Sequence, residues 1–211
     1  MRPRHRAREA ALTPDDWDAR YAGAELVWSA SPNPFVASEV ERLARTPGRA
    51  LDLAAGEGRN AVWLAEGGWE VTATDFSPVG LAKARELASA RGVDLTLIEA
   101  DATEPVPAPT AYDLVVVAYL QLPAESLARA LGHAAAALAP GGTLIAVGHD
   151  ADNLTHGHGG PPDPALLWTV EHVTGALGGL TVERAEQVVR EVATDDGPRE
   201  AIDTLVTAHR R

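Results

Sequence analysis

Four times the sequence sets a helix-capping residue directly before a proline: Thr13-Pro14, Asn33-Pro34, Ser77-Pro78 and Asp163-Pro164. Such a pair marks a helix start. The capping side chain accepts a free backbone N–H, and proline at the first helical position lacks a donor that would have no partner there. The pairs predict helices over 14–22, 34–45, 78–91 and 164–177. Between and after them lie short runs rich in β-branched and apolar residues at 50–53, 70–74, 95–99, 114–117 and 143–147, which read as strands. Strand and helix alternating in this way build a parallel sheet covered on both faces. The wholly apolar run Leu114-Val115-Val116-Val117 suits a central strand. Beyond 177 the pattern changes to two strands, 181–192 and 201–208, joined by the turn cluster Thr194-Asp195-Asp196-Gly197-Pro198.

The fold class expected from this order is α/β, a Rossmann-like, doubly wound, mostly parallel seven-stranded sheet that closes with a C-terminal antiparallel hairpin. At 211 residues, with 45% hydrophobic and 23% charged residues, the chain has enough apolar material for one real core. A single domain is expected over 13–211, with helices in 13–48 covering the site and 49–211 forming the sheet core. Residues 1–12, with Arg2, Arg4, Arg6 and Arg8 around His5, read as a flexible basic tail, the alternative being an arm that touches nucleic acid. The net charge of -12 speaks against nucleic acid or an anionic membrane as partner, because phosphate binding depends on clustered cations. The absence of cysteine excludes disulfides, thiolate metal sites and cysteine nucleophiles. No apolar run reaches the roughly 18 residues that span a bilayer, and the Arg-rich start does not resemble a secretory signal. A cytoplasmic protein with small-molecule partners is expected, its oligomeric state left open.

The segment from Ala50 to Ala61 runs from a strand through a glycine turn into a helix. Gly56 can take a positive φ and Gly58 lets the backbone approach a ligand, the arrangement that binds nucleotides at the carboxyl edge of such sheets. With Ala61 in the sixth position the turn also fits a variant dinucleotide fingerprint. Charge separates the two. A pyrophosphate would face Asp52 and Glu57, whereas the ammonium and sulfonium groups of S-adenosylmethionine would be attracted by Asp52. Asp75, 19 residues after Gly56, ends the second strand and is placed to accept from both ribose hydroxyls. Asp101 ends the third strand and suits an adenine amino group, with Ala102 lining the ring.

At these residues the chain resembles class I S-adenosylmethionine-dependent methyltransferases over roughly residues 13–150. LDLAAGEGRNAVWLA is similar to their first motif, TATDFSPVGLAKAR to the second-strand acid, IEADAT to the adenine motif and LAPGGTLIAV to the entry into the fifth strand. The segment WDARYAGAELVWSASPNPF is similar to the start of the group containing tellurite-resistance and thiopurine methyltransferases, whose N-terminal segment covers the cofactor. The resemblance implies that Gly56 and Gly58 pack near the methionine part, Asp75 holds the ribose, and Asp101 with Ala102 holds the adenine. It assigns Arg59 to the cofactor's carboxylate and Tyr21, Trp28 and Asn33 to the cover. Asp52, Ala54, Asn60, Phe76, Ser77, Ala118 and Tyr119 complete the expected cofactor-binding set. Family members often have glycine where this chain has Ala54, and many have cysteine at Ala55.

Methyl transfer from a sulfonium needs a base only when the acceptor keeps its proton. The candidates at the strand ends are His149 first, then Tyr119, with Asp150 beside them; His149 reads equally as a strand-end histidine without chemistry. The loop 149–160 carries three histidines and two aspartates in no compact metal-binding spacing, so no metal is assigned. It reads as a substrate-covering or plain mobile loop. Trp63 and Trp168 read as core residues, and Trp28 as the apolar anchor of a covering loop. The loops 22–34 and 149–162 would form the acceptor pocket. The expected activity is methyl transfer to a small molecule such as a thiol, amine, hydroxyl or chalcogen oxyanion. The alternatives are an NAD-dependent oxidoreductase and a non-catalytic cofactor binder of the same fold.

Overall fold

A computed structural model describes residues 13–106, 111–194 and 196–211. The basic tail 1–12 and Asp195 of the turn cluster lie outside the described residues. Seven strands form one sheet in the order β3-β2-β1-β4-β5-β7-β6. They are β1 (Arg49–Leu53), β2 (Glu70–Asp75), β3 (Thr96–Glu99), β4 (Tyr112–Ala118), β5 (Leu138–His149), β6 (Thr181–Val192) and β7 (Arg199–His209). The first five are parallel, and β7 enters antiparallel between β5 and β6. The fold class is the one expected, closing hairpin included.

Strand periodicity sends alternate side chains to two cores. Leu51, Leu53, Val115, Val117, Leu144 and Ala146 face α5 (Ala124–Ala137) and α7 (Val170–Ala176). Ala50, Leu114, Val116, Ile145 and Val147 face α2 (Pro34–Leu43) and α3 (Arg59–Glu66). The first three capping pairs begin α1 (Pro14–Tyr21), α2 and α4 (Pro78–Arg91), each with the capping side chain accepting a backbone N–H as expected. The fourth does not start the long helix expected over 164–177. Asp163-Pro164 opens a single 3-10 turn, Pro164–Leu166, and α7 begins only at Val170. Leu166, Leu167 and Trp168 are all buried. Three consecutive apolar residues cannot share one helix face, so the chain stays extended and Trp168 bridges to Asp150 beside β5. There the Trp168 N–H donates to the His149 carbonyl at 2.8 Å.

The α2/α3 face of the sheet carries one fully buried acid that fastens α2 down. Glu39 accepts from Arg42 Nε at 3.2 Å and from Thr207 Oγ1 at 2.7 Å, and pairs with Arg184 across the β6 edge. Burial pushes its carboxyl up, but these partners outweigh it and leave it below its usual range. Glu39→Ala is expected to destabilise by about 2–3 kcal/mol in urea unfolding. That is less than for a fully sealed pair, because the Arg42 and Arg184 side chains are 40% and 34% exposed and can turn to water.

Candidate active site

The strand order reverses at β1, whose neighbours are β2 on one side and β4 on the other, and a cleft opens there at the carboxyl ends of the strands. Its space, open to solvent on one side, measures ≈ 1120 Å³. Its floor is the turn after β1. Gly56 (φ 55) and Gly58 (φ 77) take left-handed conformations, and a Cβ on Gly56 would stand 2.7 Å from the Tyr21 hydroxyl. Two residues with side chains do the same without glycine's freedom: Ala54 at φ 59 and Tyr119 at φ 56, at the adjacent ends of β1 and β4. Left-handed L-residues cost about 1–2 kcal/mol each and persist where surrounding packing holds them.

Asp75 ties the turn to β2. One carboxylate oxygen accepts from Gly56 N and the other from Ser77 N, both at 2.8 Å, and burial pushes its carboxyl above the usual range. Glu57 secures the cover. It accepts from the backbone N–H groups of Val27 and Trp28 at 3.0 Å each and pairs with Lys83 at 3.0 Å. This strap, with Trp17 stacked on Tyr21 at 5.5 Å, closes one side of the cleft. Asn33 caps α2 and donates to the Tyr119 hydroxyl at 3.1 Å, while Asn60 accepts from Asn33 N at 2.8 Å. The Arg59 guanidinium lines the cleft and has no carboxylate within ion-pair distance among the described residues; burial pulls its ionisation below the usual value.

At the other end stand Tyr119, His149 and Arg190, all grouped about Asp203, which is 0% exposed. Asp203 Oδ2 accepts from the Tyr119 hydroxyl and from Arg190 Nε, each at 2.7 Å, and Oδ1 lies 3.2 Å from His149 Nδ1.

Residues 50–142 match the methyltransferase domain family. Over 147 residues the chain is 42% identical to the demethylmenaquinone methyltransferase of Thermus thermophilus, in an alignment that takes in 65% of this chain. It covers 61% of that relative's length, less than two thirds of it. A protein solved in work on converting a disulfide into a thioacetal during echinomycin biosynthesis superposes with a TM-score of 0.76 at 22% identity, covering 93% of this chain and 91% of that one. Magnesium protoporphyrin IX methyltransferase from Synechocystis PCC 6803, solved with S-adenosylhomocysteine, superposes with a TM-score of 0.66 at 19% identity, covering 93% and 94%.

Residues 50–142 of the chain are similar to a methyltransferase domain.

The cleft wall includes Tyr21, Trp28, Asn33, Ala54, Gly56, Arg59, Asn60, Asp75, Phe76, Ala118, Tyr119 and His149. Five of the expected residues lie off the wall. Gly58 stands at the start of α3, where a Cβ would come within 2.6 Å of Ala84 in α4, and Ser77 caps α4. Asp101 is exposed and its carboxylate is drawn into a local turn by Thr103 N and Oγ1, both at 2.8 Å; Ala102 is buried in the α5-side core. Asp52 sits beneath the floor and accepts from Ala61 N at 3.0 Å. Tyr119 lines the cleft, with its hydroxyl accepting from Asn33 and donating to Asp203, and burial raises its ionisation. The loop after β5 is pinned rather than mobile: it holds the short helix α6 (Asn153–His156), with Asn153 bridging Gly159 O and Ile202 N. Among the described residues no three acids or histidines group closely enough for a metal ion. Asp203 and Arg190 belong to no motif that the sequence displays, although an acid in the inward-facing run of β7 is the kind of signal that marks a buried site.

Asp52 gives the domain a pH signature. Its carboxyl is pushed up to about 7, chiefly by burial, with the Ala61 N–H and Arg59 pulling down and Asp75 adding a smaller push. The folded state therefore holds this proton more tightly than the unfolded chain. The associated stability is fully present below the unfolded value near 3.8 and is lost as pH rises through about 7. Thermal melts should show Asp52→Asn gaining on the native chain between these limits; a constant gap would mean Asp52 titrates alike in both states.

Proposed function

We propose that the chain binds S-adenosylmethionine in this cleft and transfers its methyl group to a small-molecule acceptor by in-line displacement. The main support is the glycine turn held against Asp75. A carboxylate fixed by two backbone N–H groups still has lone pairs for ribose hydroxyls, and the left-handed Gly56 lets the Tyr21 hydroxyl close down on the turn. Arg59 supplies the wall's one cation without a carboxylate partner among the described residues, a match for the cofactor's own carboxylate. Asp75 beside the turn favours the cofactor's positive groups. When bound, the sulfonium supplies an activated methyl group with a neutral thioether as leaving group. The chain's part is alignment and exclusion of water, for which the strap fastened by Glu57 is suited. The Thermus relative, which by its name acts on a demethylmenaquinone, supports a small-molecule acceptor. The net charge of -12 and the lack of any helix among the described residues long and apolar enough to cross a membrane agree with that.

Isothermal titration with S-adenosylmethionine and S-adenosylhomocysteine, with NAD as control, tests the cofactor. Saturable micromolar binding of the first two and none of the third is the expected result. Heat from NAD alone would replace this proposal with a dinucleotide-binding one.

A further inference from the structure

The proposed methyl transfer leaves one buried constellation unexplained. Asp203 stands at a fully buried position on a strand that is flanked on both sides, and its two oxygens serve different partners. Oδ2 is filled by Tyr119 and Arg190. Oδ1 and His149 Nδ1 are both buried, satisfy no hydrogen-bond geometry among the described residues, and lie 3.2 Å apart, within ion-pair distance. They are opposite one another in the β5–β7 register, so the sheet itself sets the pairing. His149 in turn lines the cleft, and its Nε2 has no partner among the described residues and is not sealed from it.

We propose that His149 is the general base of the reaction, that Asp203 is its positioning residue, and that the acceptor is therefore a weakly acidic hydroxyl on a planar ring, a phenol or enol. This rests on the methyl-transfer proposal above. A buried carboxylate beside Nδ1 keeps the proton on that nitrogen, leaves Nε2 as the acceptor toward the cleft, and stabilises the imidazolium once formed. Burial pushes the Asp203 carboxyl up, but His149, Tyr119 and Arg190 outweigh it and hold it below its usual range, so the anion is present at neutral pH. Tyr119 from the end of β4 packs against the imidazole at 4.6 Å and Asp203 from β7 lies beside it, while Arg190 from β6 and Arg59 from α3 lie over the Tyr119 ring in the same cleft. Arg190 engages Oδ2 and leaves Oδ1 beside the imidazole. Trp28, Leu120 and Leu122 line the same cleft and suit a flat apolar ring rather than an oxyanion. An acceptor already ionised in water would have no use for the dyad.

In the step, the hydroxyl proton moves to His149 Nε2 and the oxygen's electron pair forms the new O–CH3 bond. The electron pair of the breaking S–CH3 bond stays on sulfur. The positive charge passes from the sulfonium to the imidazolium, which later releases its proton to water.

The test uses phenols of graded acidity: 4-nitrophenol, 4-chlorophenol and 4-methylphenol. First, 4-nitrophenol is titrated into the protein with S-adenosylhomocysteine present and its phenolate absorbance is followed against pH. The bound phenol is expected to ionise at lower pH than free phenol in the native protein, with that shift abolished in His149→Gln and reduced in Asp203→Asn. Second, methylation of the series is compared. His149→Gln is expected to lose about 10²–10⁴-fold in kcat/KM on 4-methylphenol but only a few-fold on 4-nitrophenol, which ionises unaided. S-adenosylmethionine affinity should be unchanged in His149→Gln, and that variant carries the test if Asp203→Asn does not fold. An equal loss across the series, or no bound-state shift, would overturn the base. Intact cofactor binding without binding or methylation of any phenol would overturn the hydroxyl acceptor while leaving the methyl-transfer proposal standing. Absence of cofactor binding would overturn both.

Discussion

Asp75→Ala is expected to weaken S-adenosylmethionine binding by at least about a hundredfold, measured by isothermal titration. Two hydrogen bonds from ribose hydroxyls to a carboxylate contribute about 1.5 kcal/mol or more each, and every 1.4 kcal/mol is tenfold in affinity. The substitution also removes the acceptors of Gly56 N and Ser77 N, so the glycine turn loses its tether to β2 and the cofactor meets a looser floor. Asp75→Asn keeps an acceptor for one of those N–H groups and should lose less. Asp101→Ala provides the contrast. Its carboxylate is exposed and occupied by Thr103, so cofactor affinity should fall by no more than a few-fold. A hundredfold loss at Asp101 with little at Asp75 would mean that the nucleoside lies along a different part of the edge.

Trp168→Ala is expected to cost about 3–5 kcal/mol in urea unfolding, the usual range for removing a buried aromatic side chain. The indole is 1% exposed and lies so close over Gly148 that a Cβ there would come within 2.5 Å of it. Its Nε1 donates to the Leu120 carbonyl at 3.1 Å, which joins the end of β5 to the segment after β4. Loss of the ring therefore opens a cavity directly behind His149 and releases the Leu120 carbonyl at the cleft wall. Trp168→Phe restores most of the volume but not the hydrogen bond, and should recover more than half of the stability. If Trp168→Ala cost less than about 1 kcal/mol, the site would have collapsed around the gap and β5 would not depend on this contact.

The same tryptophan marks a limit of local sequence signals. Asp163-Pro164 carries the same capping signal as Ser77-Pro78, yet only the latter opens the helix expected, over 78–91. The residues after each proline make the difference. Beyond Pro78 the apolar residues fall at helical spacing, whereas Leu166-Leu167-Trp168 asks for burial on consecutive positions, which tertiary contacts with β5 supply. The glycine turn, Asp75 and the closing hairpin are legible in the sequence because each depends on residues near one another in the chain. The His149–Asp203 pair is not. Those residues are 54 positions apart and meet only because β7 is inserted antiparallel beside β5 in one particular register. Asp52 is legible as a neighbour of the turn but lies one layer lower than expected, since a strand's alternation decides only which face a side chain takes and not whether a helix start will claim it.

Ala54 holds a left-handed backbone at φ 59 on the very floor of the cleft. Glycine there would relieve about 1–2 kcal/mol of steric cost and surrender about 0.5–1 kcal/mol of unfolded-chain entropy, so the exchange is mildly favourable to the fold. Selection for heat resistance alone would then drift toward glycine at this position. Retention of alanine would instead reflect the value of a floor that cannot flex, a trait that heating experiments do not reward and catalysis does.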